Sequence, residues 1–207
     1  MAGHSPDASA FAVMAGLAAV VPGSRIEGRA LTNLRRSGFL RFLRRAGLGV
    51  RHVREEAWPE LVGRVEITHP GSLPRESITI EGQELMDMID EVPLAAVVAA
   101  TLPGKTIFRT GGVLRNKESD RLEAKADLVN ALGGQAAVEG EDLIVEGHRG
   151  PIRGGCPPTG EDHRLVLAAA VAGVGSREGV DLPEASWGSV AFPGWTEAMG
   201  RVGVSIR

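Results

Sequence analysis

The densest chemistry in the chain lies in Leu114-Arg115-Asn116-Lys117-Glu118-Ser119-Asp120-Arg121-Leu122, where Lys117, Glu118, Asp120 and Arg121 fall within five residues. A lysine supplies a compact charge, whereas an arginine grips a carboxylate or phosphate through two parallel hydrogen bonds. A glutamate held among such cations can move a proton to or from a bound anion. The following run, Leu122-Glu123-Ala124-Lys125-Ala126-Asp127-Leu128, has a helical pattern, so the cluster is expected at a loop-to-helix junction. Backbone N–H groups at a helix start favour anions there. Taken alone, a charged cluster of this kind is more often a solvated salt-bridge network than a site.

Two further segments shift that balance. Asp162-His163-Arg164 opens the apolar run Leu165 to Ala172, where packing gives no reason for a histidine–arginine pair. Asp90-Glu91 opens a second such run, Leu94 to Thr101, and Asp7 opens a third, ending at Ala19. An aspartate before a helix is also a common N-cap, a structural role that explains it without any chemistry. Asp7 is read in that way.

These openings belong to a unit that recurs three times, over residues of about 5–70, 85–148 and 158–207. Each unit has an aspartate, a small-residue apolar helix, a glycine, a short strand, a second helix and a closing strand. The strand candidates are 24–27, 50–53 and 64–67, then 105–108, 135–138 and 142–145, then 179–182 and 202–205. Glu139-Gly140-Glu141-Asp142 reads as a hairpin connection. The leading helices are apolar around their whole circumference and should be buried. The expected fold is α/β (α+β): three βαβαββ repeats with helices inside and sheets outside, an inverted α/β barrel. The third unit stops after its first closing strand, which leaves an open edge for another segment to cover. If the three helix starts share one face, Asp90, Lys117, Glu118, Arg121, His163 and Arg164 gather in one cleft.

The bulk composition agrees with a globular chain: 207 residues, 43% hydrophobic, 24% charged, with a net charge of -3. Such a balance argues against nucleic-acid binding, and the local run Arg35, Arg36, Arg41, Arg44 and Arg45 reads as a solvated helix face. No stretch reaches the ~18 apolar residues of a membrane span. One cysteine, Cys156, excludes an internal disulfide and fits a reducing compartment, so the expected location is cytoplasmic.

The Leu114–Leu122 motif, together with Asp162-His163-Arg164, resembles the 3-phosphoshikimate 1-carboxyvinyltransferase (EPSP synthase) family. Pro6-Asp7-Ala8-Ser9-Ala10, Ile89-Asp90-Glu91-Val92-Pro93 and Phe192-Pro193 match in the family's order, so the resemblance covers nearly the whole chain. Family members are about twice as long, with two similar three-repeat domains and the active site between them. The resemblance implies that residues 1–207 form the C-terminal domain alone, the N-terminal domain being absent and needed in cis or in trans. It implies transfer of the enolpyruvyl group of phosphoenolpyruvate to the 5-hydroxyl of shikimate 3-phosphate, with release of phosphate and with no cofactor or metal. On the matching positions, Asp90 would be the base near that hydroxyl and Lys117 would contact the shikimate substrate. Glu118 would handle the proton at the enolpyruvyl carbon, and Arg121 and Arg164 would clamp phosphoenolpyruvate beside His163.

Two positions depart from the family pattern. Glu161 stands where asparagine or glycine often precedes Asp-His-Arg, and Val190 stands where a lysine often contacts phosphoenolpyruvate. The first adds a negative charge beside an anion site and the second removes a positive one. Both favour an alternative, a non-catalytic anion-binding or interaction module derived from this domain. A sister family, the UDP-sugar enolpyruvyl transferases, shares the fold but lacks the Lys-Glu-Ser-Asp-Arg signature.

Overall fold

Three helices that are apolar on every face have no stable place at a surface, and the chain buries them against one another. A computed structural model describes residues 8–31, 37–55, 62–74, 76–111, 115–148 and 150–204; for residues 31, 53–55, 62 and 115–121 it describes the backbone alone. The first central helix, α1 (Ala8–Val20), buries ten of its thirteen residues. The second, α4 (Val92–Thr101), buries all but Thr101, and the third, α6 (His163–Val174), buries seven of twelve. Each packs on the other two. Their alanines and glycines permit close approach: a Cβ built on Gly16 of α1 would lie 2.9 Å from Leu94 of α4 and 3.3 Å from Val171 of α6.

Sheets cover two sides of this triad. The first unit forms β1 (Arg25–Leu31), β2 (Gly49–Glu55) and β3 (Val62–Thr68), antiparallel in the order β1-β3-β2. Val65 and Ile67 of β3 are fully buried on the face toward α1. Arg25, Glu27, Arg64 and Glu66 form ion pairs on the other face. The second unit forms β4 (Ile78–Ile80), β5 (Gly104–Arg109), β6 (Gln135–Glu139) and β7 (Asp142–Gly147), in the order β4-β5-β7-β6. The expected hairpin joins β6 to β7, with Gly140 at φ +63. Helices α2 (Gly38–Arg45) and α5 (Arg115–Ala131) are the second helices of these units.

The structure differs from the sequence reading in four places. Strand β4, which adds to the second unit's sheet parallel to β5, and helix α3 (Gly82–Met86) were not anticipated. The charged cluster 115–121 does not precede α5 but forms its first two turns, because lysine, glutamate and arginine are good helix formers and neither glycine nor proline interrupts them. Arg41 and Arg45 are not simply solvated: they pair with Asp87 and Glu84, each at 2.5 Å. Finally, the third unit has no sheet among the described residues. Residues 179–182 contribute a single bridge, Val180 to Gly155, and 202–204 lie outside any strand. The expected second helix of this unit is present as α8 (Trp195–Arg201), and a further short helix, α7 (Gly188–Ala191), precedes it. Residues 179–181 make two backbone hydrogen bonds to Gly155, too few for a ladder, and Val202-Gly203 turn at the end of α8, with Gly203 at φ +89.

Candidate active site

The N-terminal ends of α1, α4 and α6 meet around a cavity of about 250 Å3, and each helix contributes a polar group to it. A one-turn 3-10 helix, Ile89–Glu91, leads into α4 and carries Asp90 and Glu91. The buried Met88 and Val92 anchor it on either side. From α6 come His163 and Arg164, the first two residues of that helix. Asp90 and Arg164 form an ion pair, Nη2 to Oδ1, at 2.7 Å. From α1, the Ser9 hydroxyl donates to Glu91 Oε1 at 2.6 Å. Leu94, Leu167 and Ala168 give the cavity an apolar floor.

The three opening aspartates part company here. Asp162 caps its helix, its Oδ1 accepting the Arg164 N–H at 2.8 Å, so its carboxylate is spent on structure. Asp90 is not the cap of α4: Glu91 stands at that N-cap without a side-chain capping bond, and the Asp90 carboxylate reaches across to Arg164. Asp7 lies outside the described residues. The Asp90–Arg164 pair is 40% and 34% exposed, so it adds about 0–1 kcal/mol to stability at most. Its consequence is orientation: a carboxylate and a guanidinium are held at the mouth of one cavity.

Of the expected cleft, Asp90, His163 and Arg164 are brought together. Lys117, Glu118 and Arg121 have their backbone in the first turns of α5, which packs on α4 and α6. Their side chains lie outside the described residues. Glu161 is exposed just ahead of α6, and Val190 on α7 is 63% exposed, next to Ala191 at the cavity wall. Ser9 and Glu91 were not singled out as site residues from sequence. Their only signal was a serine in the first turn of a helix that is otherwise apolar, and a second carboxylate beside Asp90.

Two other cavities are larger, but neither has a comparable set of polar side chains. One of about 520 Å3 lies at the opposite, C-terminal ends of the three central helices. The other, of about 800 Å3, runs along α6 and α8 beside the third unit. Chemistry decides between them, not size. Among the described residues no group of three or more His, Cys, Asp and Glu side chains could hold a metal ion. No helix among them is long and apolar enough to cross a membrane.

The fold matches that of the enolpyruvyl transferases. An EPSP synthase from Acinetobacter baumannii superposes with a TM-score of 0.89 at 25% identity, over 98% of this chain and 47% of that one. The enolpyruvyl transferase NikO from Streptomyces tendae shares the fold, with a TM-score of 0.68 at 18% identity. The profile of the family EPSP synthase (3-phosphoshikimate 1-carboxyvinyltransferase) matches residues 5–199, and the chain belongs to that family. Two relatives named 3-phosphoshikimate 1-carboxyvinyltransferase are similar in sequence. The one from Gluconobacter oxydans is 34% identical over 97% of this chain, and the one from Acidiphilium cryptum 36% over 98%. The chain spans 45% and 44% of their lengths, less than half of each.

Proposed function

We propose that this chain is the C-terminal half of a 3-phosphoshikimate 1-carboxyvinyltransferase, acting in the cytoplasm with an N-terminal domain supplied in cis or in trans. The observation that carries the reading is the Asp90–Arg164 pair, 2.7 Å apart beside His163, in a chain of this family. A base and an anion-binding cation at one cavity mouth suit a reaction between two anions, in which positioning and charge neutralisation lower the barrier.

In the proposed reaction Asp90 takes the proton of the 5-hydroxyl of shikimate 3-phosphate as that oxygen bonds to C2 of phosphoenolpyruvate. Glu118 delivers a proton to C3, completing the addition. Loss of a proton from the C3 methyl to Glu118 and departure from C2 of phosphate, which takes up the proton held by Asp90, restore the double bond and the starting protonation of both side chains. Arg164 and Arg121 hold the carboxylate and phosphate of phosphoenolpyruvate, Lys117 holds the shikimate substrate, and His163 lines the phosphoenolpyruvate side. An N-terminal domain closing over the cavity excludes water and supplies the remaining contacts to shikimate 3-phosphate.

The test is to assay the chain alone and mixed with an N-terminal domain of the family. Product is expected from the mixture only, and a mixture that forms none from both substrates overturns the reading. Two positions favour a second reading, a non-catalytic anion-binding module: the exposed Val190 and Glu161 beside the site. That reading requires tight phosphoenolpyruvate binding by the chain without any complementing domain.

A further inference from the structure

Among the described residues, Asp90–Arg164 and Ser9–Glu91 are polar contacts that tie the central helices together at the site, and the second involves residues given no role above. Asp90 reaches from the 3-10 turn to Arg164 on α6, at 2.7 Å. Its neighbour Glu91 reaches the other way, to Ser9 on α1, at 2.6 Å. Adjacent carboxylates of one short turn thus hold two different helices, and both contacts line the same cavity. A backbone bond from the Glu91 N–H to the Met88 carbonyl, at 2.9 Å, helps close the turn. Such a turn has poorer hydrogen-bond geometry than an α-helix and depends on its surroundings for its direction. A hydroxyl donating to a carboxylate makes a charge-assisted bond, stronger than a neutral one.

We infer that Ser9 and Glu91 are positioning residues: their hydrogen bond braces the 3-10 turn against α1 and so aims Asp90 at Arg164 and at the reacting hydroxyl. Without it the turn loses a side-chain tie to α1, and Asp90 is held less firmly toward Arg164. Neither residue exchanges a proton with substrate. The inference rests on the reaction proposed above for its catalytic consequence, but its structural half stands apart from turnover.

Both halves are tested with Ser9→Ala, Glu91→Ala and Glu91→Gln. Glutamine keeps an oxygen that accepts from Ser9 while removing the charge a proton carrier would need. The first readout needs no activity: the Arg164 side-chain N–H resonances of the chain, assigned with Arg164→Lys, whose exchange with water is slow while Asp90 holds the guanidinium. Exchange is expected to quicken at least about fivefold in the two alanine variants and to stay near wild type in Glu91→Gln. The second readout is steady-state kinetics of the chain mixed with an N-terminal domain. Ser9→Ala and Glu91→Ala should lower kcat about tenfold, with each KM within about twofold of wild type, while Glu91→Gln keeps most of kcat. Unchanged Arg164 exchange in both alanine variants overturns the inference, as does a Glu91→Gln variant as slow as Glu91→Ala. A rise confined to KM overturns it too, since that marks a substrate contact. If the wild-type mixture makes no product, the reaction falls but the exchange experiment still decides whether the brace exists.

Discussion

At the scale of single residues, two aspartates in the same sequence context, Asp90 and Asp162, have parted roles. Asp162 caps α6, whereas Asp90 faces Arg164 across the cavity. The two roles are not interchangeable under substitution. Asp90→Asn removes a base without removing volume, so kcat of the complemented enzyme should fall at least about a hundredfold, the usual scale of a general base. Because the Asp90–Arg164 pair is more than a third exposed on the aspartate side, the melting temperature should move by only a degree or two. Circular dichroism melts alongside initial rates check both halves. Val190 offers the opposite experiment. It is 63% exposed, so Val190→Lys meets no packing barrier. The added cation should lower the KM for phosphoenolpyruvate severalfold, measured at fixed shikimate 3-phosphate. The residue types and their order were readable in the sequence, including the Asp-His-Arg triplet and the departures at 161 and 190. Whether a given aspartate caps or reacts was not, because an N-cap and a cross-helix ion pair begin from the same local pattern.

At the scale of elements, the apolar circumference of α1, α4 and α6 made their burial readable before any contact was known. What periodicity could not reveal is how closely they cross. Gly16 sits where α1 meets both partners, and a side chain there meets Leu94 and Val171 within 3.3 Å. Gly16→Val should therefore cost about 1–3 kcal/mol by overpacking, read as a lower urea midpoint with an unchanged slope. Strand β4 escaped the sequence reading because three residues are too few for a period, and its only ladder is with β5. After β3, the buried His69 accepts the Gly71 N–H at Nδ1, at 3.0 Å. Burial lowers its pKa below the usual 6.5, so the folded state stays neutral while the unfolded chain takes up a proton. The stability this histidine contributes is thus complete above pH 6.5 and is lost as the pH falls from there through the folded pKa. His69→Asn, which offers an acceptor without titrating, should flatten the fall in melting temperature between pH 7 and 5.

At the scale of the whole molecule, two units of helices carry sheets and the third carries none among the described residues. The cavity of about 800 Å3 along α6 and α8 lies on that uncovered side, bordered by residues 178–182 and 202–204. Trp195 is buried against it, and its Nε1 is the buried side-chain polar atom without a partner among the described residues. On the proposed reading an N-terminal domain binds the folded chain and not the unfolded one, so its addition should raise the melting temperature by mass action. At a hundredfold excess over Kd the gain is about 2.7 kcal/mol, and scanning calorimetry at several partner concentrations checks it. By itself the sequence determined which segments must be buried, that a unit recurs, and which charged motif marks the family. Those properties are local, since burial and helix formation follow from the spacing of apolar residues along a few turns. Only the tertiary structure decided that Asp90 meets Arg164, that Ser9 holds Glu91, and that the third unit carries no sheet among the described residues. Those outcomes depend on the distances between segments remote in the chain, and these are set by how the three helices pack rather than by any pattern within one of them.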